Sequence, residues 1–185
     1  MDDSIADLWA AFLGSSLPTA AAAADATYTA WSFGSGGQMA DELLALVLSG
    51  RKTATTSAVW SLEHNGEPIP RIGDYSVITD GAGRARRVIR TTAVAVMPFS
   101  EVGAEFAAAE GEGDLSLDYW RTGHWRFFGR ELASFGRLPQ LDMPVVCERF
   151  EVVYPAHLDV PGALRILNDA LLPLELTLAH PLDDE

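Results

Sequence analysis

Lysine is almost missing from this sequence: of its 13 basic residues, Lys52 is the lone lysine and the others are arginines. Cysteine is just as scarce. Cys147 stands alone, so no internal disulfide can form, which excludes a disulfide-stapled scaffold, fits a reducing compartment and makes the core its expected place. No uninterrupted apolar stretch approaches the ~20 residues that cross a bilayer as a helix, so a soluble chain is expected. Positive charge is short as well. Against 26 acidic residues it leaves a formal charge of −13, which weighs against a broad nucleic-acid surface, because such binding rests on neutralising many phosphates. The amino end, Met1-Asp2-Asp3-Ser4, lacks the basic start of a secretory signal, and a cytoplasmic location is expected.

What is present suffices for a globular core: 185 residues, 48% of them apolar and 21% charged, which excludes a disordered or collagen-like chain. Helical spacing of Ile5, Leu8 and Phe12 predicts a first helix over 4–14, and an Ala-rich, extended or partly helical connection follows to Thr29. A second helix is predicted over 38–49, with Met39, Leu43, Leu46 and Val47 on one stripe and Gly50 as its left-handed terminator. Residues 53–60, 75–80 and 86–96 read as strands of an antiparallel meander, with Asp80-Gly81-Ala82-Gly83 as a hairpin loop. Ser100 is the expected N-cap of a helix through Ala109, and Ser116 opens another, over 117–128, in which Trp120, His124 and Phe127 share a face. Residues 129–144 read as loop. Strand alternation over 145–154 sets Val146, Glu148, Phe150, Val152 and Tyr154 on one side, and this strand is expected to close the sheet. The tail from Pro155 carries a helical pattern over 163–172 and six acids against one Arg, suited to packing or to oligomer contact, a homodimer included.

Arginine has replaced lysine everywhere except at position 52, which points to a need for an ammonium there, since only lysine shifts its pKa readily and offers a compact charge. Lys52 sits in Gly50-Arg51-Lys52-Thr53-Ala54-Thr55, at the junction of the Gly-capped helix and the first strand. Its spacing to Thr55 would bring ammonium and hydroxyl together in a tight turn, suited to activating the hydroxyl or stabilising an oxyanion.

This element, with the Gly73-Asp74 turn, the run Ala109-Glu110-Gly111-Glu112 and the strand from Val145 to Val153, resembles the ASCH domain, a relative of the RNA-binding PUA fold. The stretch from Phe106 to Phe128 is similar to a longer bacterial subgroup. The resemblance covers about 30–154, leaving 1–29 as an N-terminal helix with its connection and 155–185 as an acidic helical extension. It implies an α+β fold, a PUA-like mixed β pseudo-barrel with helices packed at its rim. It also implies an enzyme acting on a nucleoside or RNA-derived substrate. The superfamily includes an amidohydrolase that removes acetyl from N4-acetylcytidine, and carrying over its catalytic Lys, Thr and Glu gives Lys52, Thr55 and Glu112, with Glu110 as the nearby alternative. Thr55 would attack an acyl carbon, Lys52 would take the proton or hold the developing charge, and the Glu would protonate the leaving group. Two other readings follow from the same superfamily: a non-catalytic RNA-binding module, and a ribonuclease.

The remaining candidates surround that set. Trp31, Phe33 and Trp120 are able to stack on a base or simply to pack, and His124 reads either as a boundary histidine or as an acid/base. Arg51, Thr53, Asp80 and Arg121 complete the candidate substrate-binding set. Arg84, Arg86, Arg87 and Arg90 form the one basic hairpin, suited to phosphate contact or to surface ion pairs. No metal or cofactor is expected: His64, His124, His157 and His180 are scattered, and no Gly-rich phosphate loop or dinucleotide fingerprint occurs.

Overall fold

A computed structural model describes residues 3–155. Its elements run α1 (Asp3–Leu13), α2 (Pro18–Ala22), β1 (Tyr28–Trp31), α3 (Gly37–Leu48), β2 (Ala54–Ala58), α4 (Val59–Asn65), β3 (Tyr75–Thr79) and β4 (Ala85–Pro98). A single 3-10 turn at Phe99–Glu101 leads to α5 (Ala104–Ala109), α6 (Leu117–Ala133) and β5 (Pro144–Tyr154). No helix among the described residues is long and apolar enough to cross a membrane.

The strands form one mixed sheet in the order β1-β3-β4-β5-β2, parallel between β1 and β3 and antiparallel elsewhere. This corrects the meander: β3 and β4 do form a hairpin, but β2 pairs with β5 at the far edge rather than with β3. The last strand therefore lies between β4 and β2 instead of at an end. Both edge strands line one cavity of about 810 Å³, so the sheet curls into an open barrel with that cavity between its margins. The α+β architecture is as the sequence implies.

Three apolar clusters hold the sheet. Trp9 and Phe12 of α1 pack with Tyr75, Val77 and Val88 on one part of it. Leu44 and Val47 of α3 meet Phe33, Ile78, Ile89 and Phe150. Phe128 and Leu132 of α6 join Phe99, Met143 and Val145. In α3 the buried stripe is Ala40, Leu44 and Val47, one residue round from the predicted one, with Met39, Leu43 and Leu46 half-buried at its margin. Ser116 caps α6 by accepting from the Tyr119 amide at 3.0 Å, as expected, but the helix continues through Gly129 to Ala133, because Leu132 is a core anchor. Ser100, by contrast, lies in the 3-10 turn, and the N-cap of α5 is Gly103. Helix α4 was not anticipated. The predicted helix at 163–172 lies outside the described residues.

Candidate functional site: a buried lysine between two carboxylates

Gly50, at φ 73°, ends α3, and the amides of both Arg51 and Lys52 return to the Leu46 carbonyl. This fold-back turns Lys52 inward just before β2 begins. Against it packs the segment that follows α5, pinned by the Thr53 amide and hydroxyl on the Ala109 carbonyl and by Arg51 Nη2 on the Gly113 carbonyl at 2.6 Å. Gly111 is required there: φ is 75°, and a Cβ would stand 2.5 Å from the Arg51 carbonyl oxygen. The glycine between the two glutamates thus lets Glu110 and Glu112 approach one lysine from the same loop.

Lys52 is 2% exposed. Its Nζ lies 2.8 Å from Glu110 Oε2 and 2.8 Å from Glu112 Oε1, and 5.5 Å from the centre of the Phe33 ring. The two carboxylates are unequal: the Glu110 side chain is sealed at 1% exposure, whereas Glu112 keeps 27%. The other Glu110 oxygen, Oε1, accepts from Thr56 Oγ1 at 2.5 Å and Trp120 Nε1 at 2.8 Å, with His124 Nε2 at 3.3 Å. His124 Nδ1 faces the Trp120 carbonyl at 3.0 Å, so both ring nitrogens face oxygens.

These contacts set the charges. Burial works against the Lys52 ammonium, but the charges of Glu110 and Glu112 outweigh it, and the pKa rises above the ordinary lysine value. Glu110 moves the opposite way: burial would raise it, yet Lys52 and His124 hold it far below the usual carboxylate range. Lys52 is therefore a fixed cation, and Glu110 the anion that holds it. Cys147, whose burial together with the nearby Glu110 charge pushes its thiol up to about 12, is a core residue as expected.

The cavity adjoins this network through Phe33, Thr56 and Phe128, and its wall also includes Trp31 and Thr55. Trp31 and Phe33 meet edge to face, with ring centroids 4.7 Å apart. The chain that builds this arrangement has relatives. The sequence profile of the ASCH domain matches residues 29–154. The chain belongs to the ASCH family. Its fold is that of the ASCH domain from Lactobacillus crispatus JV V101, at 31% identity and a TM-score of 0.76 over 83% of this chain and 96% of that one. A protein from Enterococcus faecalis V583 is 37% identical, with a TM-score of 0.70, over 83% of this chain and 90% of the other. No curated protein matches.

This ASCH domain brings together some of the residues read from sequence and separates others. Lys52, Glu110, Glu112, Trp120 and His124 form one network, in which both glutamates reach the one lysine. Thr55 makes no hydrogen bond to Lys52; it lines the cavity, across from Glu148 on β5. The hydroxyl tied into the charge network belongs to Thr56 instead, a residue the sequence did not single out although it follows Thr55 directly. Trp120 lies beneath the site, stacked between Phe99 and His124, and orients Glu110. Arg51 and Thr53 hold the glutamate loop. Of the candidates, Trp31, Phe33 and Thr55 line the cavity, while Lys52, Glu110, Glu112, Trp120 and His124 lie behind its wall; Asp80, also off the wall, caps its hairpin through the Ala82 and Arg84 amides, and Arg121 donates to the Ser100 carbonyl. The cavity wall also carries Glu148, 8% exposed, which sequence reasoning passed over.

Proposed function

We propose that this ASCH domain is an amide hydrolase acting on an acylated pyrimidine nucleoside of the N4-acetylcytidine kind. The observation that carries the reading is the buried Lys52 ammonium, fixed between Glu110 and Glu112 beside a cavity walled by Trp31, Phe33 and Thr55. A cation already stripped of water and held by its own counterions needs no reorganisation when negative charge develops on an acyl oxygen. Of the two roles open to Lys52, its raised pKa favours holding that charge over taking a proton.

In this scheme Thr55 Oγ1 attacks the acyl carbon. The C–N bond breaks, the acyl group passes to Thr55, and the nucleoside leaves with its free amine. Glu112, the carboxylate that keeps access to solvent, takes the threonine proton and returns it to the leaving nitrogen. Water then cleaves the threonine ester, releasing the carboxylic acid and restoring the hydroxyl. The basic hairpin supports a small substrate over RNA, since Arg84 is already paired with Asp80, and Arg90 with Glu151.

The test is steady-state hydrolysis of N4-acetylcytidine by Thr55→Ser and Thr55→Val. The serine variant keeps a nucleophile and should retain measurable turnover, whereas the valine variant should lose at least about a thousandfold in kcat, as removal of a nucleophile does. Equal activity of wild type and Thr55→Val would overturn the assignment.

A further inference from the structure

The cavity holds chemistry that the hydrolytic scheme does not use. Four acidic residues line it, Glu67, Asp74, Glu131 and Glu148, with no lysine, arginine or histidine among the described lining residues. Nothing in that wall neutralises a phosphate.

Glu148 is the most enclosed of the acids. It stands on β5 opposite Thr55 of β2, and Thr91 on β4 donates to its Oε1 at 2.6 Å. Cross-strand partners project on the same face, so the Glu148 carboxyl and the proposed nucleophile flank one space. Thr91 is itself fixed, its amide on the Asp74 carbonyl. The Glu148 Oε2 has no protein partner in the described residues, and Oε1 keeps a second lone pair beside the one Thr91 occupies, so both oxygens can meet a ligand. Burial raises the Glu148 pKa and the charge of Asp74 adds to it, against the Thr91 hydrogen bond, which lowers it.

We propose that Glu148, steadied by Thr91, reads the ligand's base by a paired donor–acceptor contact with its ring nitrogen and exocyclic N–H, while the acid-lined wall rejects the same base carrying a phosphate. This deepens the nucleoside reading above and rests on it. A carboxyl in its acid form offers both halves of such a pair, O–H to the ring nitrogen and C=O to the amine, and a glutamine amide offers the same two. A leucine offers neither. Sites built on a buried polar pair discriminate strongly, because the wrong ligand leaves the protein group unmatched.

Equilibrium titration with cytidine and with cytidine 5′-monophosphate tests the proposal on the whole chain, with thermal melts checking that each variant folds. Wild type should bind cytidine at least tenfold more tightly than the monophosphate. Glu148→Gln should stay within about threefold of wild type for cytidine, and Glu148→Leu should lose at least tenfold. The proposal is overturned by equal binding of the two ligands, by no binding of cytidine, by an unaffected Glu148→Leu, or by Glu148→Gln losing as much as the leucine variant. If Glu148→Leu does not fold, Glu148→Ala takes its place with the same expected loss, and the wild-type comparison still tests the acid-lined wall. If cytidine binds in the expected pattern while N4-acetylcytidine is left intact, the hydrolase reading fails and the recognition stands; if hydrolysis proceeds with an unchanged KM in Glu148→Leu, the reverse holds.

Discussion

Lys52 carries the site because its charge is buried and matched. Removing one partner of such a pair strands the other, which costs about 3–5 kcal/mol. Lys52→Met should therefore lower unfolding free energy by about that much in urea titrations, and Lys52→Met combined with Glu110→Gln should recover part of it. The pH limits follow from the two shifts. Glu110 has a folded pKa below its unfolded one, so its stabilisation is present above the ordinary carboxylate range and is lost as pH falls through the folded value. Lys52 is raised, so its contribution persists up to the ordinary lysine pKa and is lost only above it. Glu148 runs contrary to Glu110. Its folded pKa is raised, so stability falls as pH rises through that value, and Glu148→Gln should melt higher than wild type at pH 8, with the difference vanishing near pH 4. At this scale much was legible. Lys52 stood out as the sole lysine, and the Glu-Gly-Glu run marked both of its counterions. Thr56 was hidden by Thr55 next to it, since a β-strand sends the two to opposite faces and sequence does not say which face is which. Glu148 did leave a signal, an acid on the otherwise apolar side of an alternating strand beside Val146, Phe150 and Val152.

The glutamate loop and the fold-back after α3 make the site at the level of elements. Gly111→Ala forces a Cβ to 2.5 Å from the Arg51 carbonyl and an unfavourable φ of 75°. Gly66 has a similar φ of 69° with no atom within 4 Å of the added Cβ. Gly66→Ala should then cost only the backbone term, about 1–2 kcal/mol, and leave turnover alone. Gly111→Ala should cost more and also separate Glu112 from Lys52, reducing kcat; chemical denaturation with parallel kinetics distinguishes the two. Local elements were readable where periodicity and caps agreed, as in α1, α3 and the start of α6. Strand pairing was not. The β2–β5 contact joins residues such as Thr56 and Cys147, far apart in the chain, and nothing in either segment's alternation names its partner. The end of α6 was misplaced at Gly129 because a glycine inside a helix costs only about 1 kcal/mol, less than burying Leu132 returns.

Over the whole molecule, acidity and the curled sheet act together. A formal charge of −13 and an acid-lined cavity both oppose polyanions, and two of the four hairpin arginines, Arg84 and Arg90, are already paired with acids. Short RNA should accordingly show no retention on the protein at physiological salt in filter binding, and tight, steeply salt-dependent retention would favour a binding module instead. The fold class was legible in the sequence because the resemblance rests on motifs spread from Gly50 to Val153. The cavity was not, since it is made where β1 and β2 come round to face one another. The central claim is that the caged ammonium of Lys52 serves amide hydrolysis. Its most direct test follows N4-acetylcytidine by mass with wild type and Lys52→Arg side by side. Cytidine and acetate appearing in equal amounts with wild type alone, and a folded but inactive arginine variant, is the predicted result; intact substrate with wild type, or full activity in Lys52→Arg, would contradict it.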